Sequence, residues 1–244
     1  MKKAFLIIGG AAFVLAVVAF GIMLFKNPVA IASVCPQCFG FRFLDGNVYV
    51  EGQPSVPLPR LAADLQAAQR QVENFFKSSM PPAKVLICTT EKCYRRAEGQ
   101  GGASKAISWL DGVLLVSPRG LNVTIMAHEL THIEFRHLLG IKAYATIPAW
   151  FDEGLAVYVA DDRRYLAPAS AKNRCLVSGA DALPITKADW WNVMSHDPAR
   201  AYALAACRVA TWMAEHGGQA GLLNFIGKIR GGQDFQSALM SDRR

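Results

Sequence analysis

Two imidazoles and a carboxylate stand together in His128-Glu129-Leu130-Thr131-His132, the pattern H-E-x-x-H. Residues i and i+4 share one face of a helix, so both imidazoles can reach a single metal ion. The adjacent Glu129 then projects beside that ion and can take a proton from water. A catalytic zinc takes three protein ligands and keeps a fourth position open, so a third donor must arrive from another segment. His137 is nearest, but it lies five residues past His132 and faces another way. Glu153 is the stronger candidate, because the 20 residues separating it from His132 fit a helix end, a turn and a return helix. Asp152 and Glu134 are its rivals. Two histidines and a glutamate on an apolar helix face would be costly to bury without a cation. The pattern therefore predicts one metal ion, with Glu129 as proton acceptor.

The elements that must position these groups are legible from periodicity. Val123, Ile125, Met126, Leu130 and Ile133 recur at helical spacing, with Asn122 as a cap and Gly140 just past Leu139. A second helix is expected from near Pro148 to about Ala160. Ahead of them, residues 47–51 alternate like a strand, and residues 84–88 give a second strand. Between these, apolar positions 61, 65, 68, 72 and 76 mark an amphipathic helix. Asp111-Gly112 between Ala106–Leu110 and Val113–Val116 signals a hairpin. Val113–Ser117 is a candidate edge strand for an extended peptide. Helices are expected at 186–195, 199–216, 219–230 and 234–240. Strands followed by helices predict an α+β domain with a small N-terminal mixed sheet.

His128-Glu129-x-x-His132 together with Trp150-Phe151-Asp152-Glu153-Gly154-Leu155-Ala156 resembles the gluzincins, the peptidase-MA-like group related to thermolysin and the zinc aminopeptidases. The resemblance implies a zincin-like fold, one catalytic Zn2+ held by His128, His132 and Glu153, and Glu129 as general base. It also implies a tyrosine that stabilises the oxyanion. Tyr202, opening an apolar helix that runs to a Gly217-Gly218 turn, resembles that residue's setting, with His196 and Tyr158 as rivals. Two departures stand out. Thermolysin-like members carry an aspartate four residues after the glutamate ligand, where this chain has Val157. The G-x-M-E-N segment by which the aminopeptidases hold a free amine has no counterpart, which disfavours an aminopeptidase.

At the other end, Ala4–Phe25 runs 22 residues without a charge between Lys3 and Lys26. As a helix it would reach ~33 Å, enough for a hydrocarbon core of ~30 Å. It is longer than a signal-peptide core of ~7–15 residues, so an uncleaved anchor is expected, although Ala30-Ile31-Ala32 resembles a cleavage site. The expected organisation is an anchor at 1–26, a linker and lead-in loop at 27–46, and a gluzincin-like domain at 47–244. Lys2 and Lys3 favour a cytoplasmic N-terminus. The expectation is a single-pass inner-membrane protein, held by that helix, with its domain in the periplasm. All six cysteines lie beyond the apolar run, as in an oxidising compartment. Cys35–Cys38 and Cys88–Cys93 are the favoured local pairs, which leaves Cys175 with Cys207. Lys2, Lys3 and Lys26 account for three of the net +7 charges. The remaining arginines are scattered, which is no nucleic-acid footprint.

These observations lead to the expectation of a zinc metallopeptidase acting on a peptide or protein substrate. Two other readings stand beside it. One is a non-catalytic metal-binding or scaffolding protein on the same fold. The other is a thiol–disulfide protein using Cys35-Pro36-Gln37-Cys38, although no helix signal follows that pair.

Overall fold

The computed structural model describes residues 28–98, 104–107, 112–177 and 183–241. Five strands form one sheet in the order β1-β2-β3-β5-β4. They are β1 (Phe41–Asp45), β2 (Val48–Glu51), β3 (Lys84–Ile87), β4 (Lys105–Ile107) and β5 (Val113–Val116). The central three run parallel, and β1 and β4 are antiparallel edges. Strand β5 is apolar at every position because both of its faces are covered. Leu114 and Val116 join the main core, whereas Val113 and Leu115 join a smaller one on the opposite face.

That smaller core is closed by α1 (Pro28–Val34) and α3 (Glu91–Glu98). The main core lies under α2 (Leu58–Phe76), whose buried Leu61, Leu65, Ala68, Val72 and Phe76 are the apolar stripe expected from the sequence. The helical part follows: α4 (Val123–Leu139), the single turn α5 (Ile141–Tyr144), α6 (Ala149–Val159), α7 (Lys187–His196), α8 (Pro198–Glu215), α9 (Gln219–Arg230) and α10 (Phe235–Met240). Phe151 on α6 lies at its centre, in ring contact with Phe135, Trp212, Phe225 and Phe235.

Several expectations are corrected. Among the described residues no helix is long and apolar enough to cross a membrane. The longest are amphipathic: α2, for instance, carries Arg60, Asp64 and Arg70 opposite its buried stripe. The architecture of a transmembrane helix followed by an α+β domain is therefore replaced by a mixed α/β fold, and the single-pass inner-membrane placement falls with it. The apolar run at 4–25 lies outside the described residues, as does Asp111 of the expected Asp111-Gly112 turn, whose Gly112 has φ +104°. Val113–Val116 is internal to the sheet, and β4 is the edge strand instead. Residues expected to be a linker carry α1, a 3-10 turn (Pro36–Phe39) and β1, with Val29, Ala32 and Phe41 buried. All three disulfides are present: Cys35–Cys38, Cys88–Cys93 and Cys175–Cys207. Cys35 opens only the short 3-10 turn, so the C-x-x-C pair lacks the helix that activates a redox thiol.

Candidate metal centre

Helix α4 begins at Asn122, whose side-chain oxygen accepts from the Ile125 amide at 3.0 Å. It ends where the Gly140 N–H reaches the Arg136 carbonyl. The helical period turns His128, Glu129 and His132 toward one cavity of about 540 Å³, which Glu153, Asp152, Tyr144, Trp190 and Tyr202 also line. Glu153 arrives on α6, and Gly154 next to it lets α6 approach α8. A Cβ at Gly154 would stand 2.5 Å from the Ala205 carbonyl oxygen and 2.8 Å from Val209 Cγ2.

His128 Nε2 and His132 Nε2 stand 3.3 Å apart. Glu153 Oε2 lies 3.3 Å from the first and 3.6 Å from the second. Donors bound to zinc at ~2.0–2.1 Å and held at a tetrahedral angle stand about 3.4 Å apart, so these separations match one face of such a shell. Glu153 Oε2 is buried and, among the described residues, has no hydrogen-bond donor, although both imidazole nitrogens face it. The three side chains could hold a metal ion, and the orphaned oxygen is what a cation there would satisfy.

The electrostatics agree. Burial works to raise the Glu153 pKa, but His132 and His128 outweigh it and hold the carboxyl far below its usual range. Burial works to lower the His132 pKa, yet the Asp152 and Glu153 carboxylates outweigh it and hold the imidazole well above its usual value. For Glu129 burial prevails over the two histidines, and its pKa is raised. Its Oε2 accepts from the Ala106 N–H on edge strand β4 at 2.7 Å.

Of the rivals for third ligand, neither takes that place. Glu134 is fully buried and is hydrogen-bonded by the Ser78 hydroxyl. Asp152 Oδ1 faces the other imidazole nitrogen, His132 Nδ1, at 3.0 Å, and Asp152 Oδ2 accepts from the Tyr144 hydroxyl. Asp152, beside Glu153, thus faces His132 from the side away from the cluster. His137 lines the cavity outside the ligand set.

Tyr202 lies in the cavity wall near the start of α8, its ring 6.1 Å from that of His128 and stacked at 5.0 Å on Tyr165. Burial, then Glu153 and Glu129, push its pKa up, so its hydroxyl stays a donor. His196 is exposed and turned to the Asn192 carbonyl, and Tyr158 packs on Phe75 beneath Arg174. Neither lines this cavity. No protein-family profile, curated protein or solved structure matches the chain.

Proposed function

We propose that the chain is a zinc-dependent hydrolase of peptide bonds with a gluzincin-like site. The observation that carries this is the convergence of His128, His132 and Glu153 beside the buried carboxylate of Glu129. Two imidazoles and one carboxylate suit zinc and leave a tetrahedral ion one open position. When bound, the ion supplies Lewis acidity to a water and to a carbonyl. The rest falls to the chain's own groups. Glu129, whose burial raises its proton affinity, takes a proton from the attacking water and delivers it to the departing amine. The Ala106 N–H steadies its Oε2. The Tyr202 hydroxyl donates to the carbonyl oxygen as negative charge grows there. Strand β4 offers an extended peptide an edge to pair with. Three disulfides suit an oxidising compartment.

The test is metal analysis of the full chain beside three variants. One zinc per chain is expected, lost in His128→Ala and in Glu153→Ala. Glu129→Gln should keep the zinc and lose ~10²–10⁴-fold in hydrolysis of a peptide mixture. A chain that takes up no zinc on reloading would overturn the reading. A Glu129→Gln chain as active as its parent would remove the peptidase and leave a metal-binding protein.

A further inference from the structure

Resting on that reading, we infer that Arg136 forms a carboxylate-binding subsite, so that the peptide carries an acidic group about two residues from the bond cut. His128, His132 and Arg136 are spaced i, i+4 and i+8 on α4, which puts all three on one stripe of its surface. All three line the same cavity. Four residues of helix advance ~6 Å, the length of about two residues of extended peptide at ~3.3 Å each.

Arg136 is half-buried, and among the described residues no carboxylate pairs with it. The neighbouring carboxylates are committed elsewhere, Asp152 to His132 and Tyr144 and Glu153 to the metal ligands. Three arginines of the loop after α6, by contrast, are matched: Arg163 and Arg174 to Asp161, and Arg164 to Asp162. An unmatched guanidinium facing a substrate cleft offers a planar fork to a carboxylate. His137, next to Arg136 in the chain, lines the same cavity. A cation in the last turn of α4 also suits the helix dipole, but that role requires no opening into the cleft.

The shared chemistry is a carboxylate, whether an acidic side chain or a C-terminal carboxylate. Three labelled, acetylated peptides of one sequence separate the sources: one neutral and amidated, one amidated with a single Asp, one with a free C-terminus. Their binding is read by anisotropy on the zinc-loaded full chain carrying Glu129→Gln, with and without Arg136→Gln. Coordination of a peptide by the metal is common to both chains and cancels. One acidic peptide should bind on the order of tenfold tighter than the neutral one, and that ratio should fall to about one with Arg136→Gln. Arg136→Lys should fall between, and Arg136→Glu should turn the preference to a lysine peptide. Equal binding of all three peptides, or a preference that survives Arg136→Gln, would overturn the subsite. A role confined to the helix dipole would change the melting temperature and leave the ratio alone. The peptidase reading fails separately, if the chain with Glu129 intact cleaves none of the peptides.

Discussion

At the residue scale, the grouping of His128, Glu129 and His132 was legible because H-E-x-x-H and the helical period place them together without help from the rest of the chain. The role of Asp152 was not, because nothing in its spacing tells a third ligand from a group that turns the second ligand. The direction of α6 decides this: Glu153 meets the Nε2 atoms, while Asp152 meets His132 Nδ1 at 3.0 Å. A carboxylate there keeps a proton on Nδ1 and the lone pair of Nε2 for the metal. Tyr144 in turn holds the far oxygen of Asp152. Asp152→Asn keeps the shape and removes the charge, so zinc affinity should weaken ~10–100-fold while the stoichiometry stays at one ion. Competition with a chelator measures this. An unchanged affinity would reduce Asp152 to a bystander. Arg136 did leave a signal in the sequence, as the third member of the 128, 132, 136 stripe, but the cavity was needed to show that the stripe opens outward.

At the element scale, the long amphipathic segments announced themselves, and the short ones did not. Helix α2 was readable from five apolar positions, all of them buried. By contrast α1, β1 and α3 are short, and they are held by partners far away in the chain. Glu51 at the end of β2 accepts from both the amide and the hydroxyl of Thr89 and of Thr90, ahead of α3. No local pattern contains that contact. The close approach at Gly154 is to α8, a contact between distant segments that no local pattern contains. An alanine there must push against backbone, which cannot rotate away, and overpacking of this kind costs about 1–3 kcal/mol. Gly154→Ala should therefore lower stability to urea by that amount. It should also weaken zinc binding, because α6 carries both Glu153 and Asp152. A variant as stable as its parent would mean that α6 and α8 can part freely.

At the scale of the whole molecule, the cleft is assembled from distant pieces: the edge strand before α4, α4 and α6 with their His–His–Glu cluster, and α8 with Tyr202. The three disulfides differ in how much of this assembly they constrain. Cys35–Cys38 spans 3 positions of sequence, whereas Cys175–Cys207 spans 32 and ties the long loop after α6 to the middle of α8. A cross-link stabilises largely by removing freedom from the unfolded chain, and the effect grows with the loop it closes. On that account the longer loop contributes ~3–4 kcal/mol and the shorter one roughly 1.5. Neither pair is fully buried, so replacing each by serines leaves little cavity and makes the comparison fair. Cys88 and Cys93 are buried, and their removal would add a cavity cost of its own. Thermal unfolding of Cys175→Ser/Cys207→Ser should therefore fall by about 10 °C, at ~2–4 °C per kcal/mol for a domain of this size. Cys35→Ser/Cys38→Ser should fall by less than half as much. Equal losses would show that the bridges act through native contacts and not through the loops they close. Tyr202 lies within the loop that Cys175–Cys207 closes and stacks on Tyr165 ahead of it, so losing that bridge should also reduce hydrolysis before the chain unfolds, whereas losing Cys35–Cys38, on the far side of the sheet, should not.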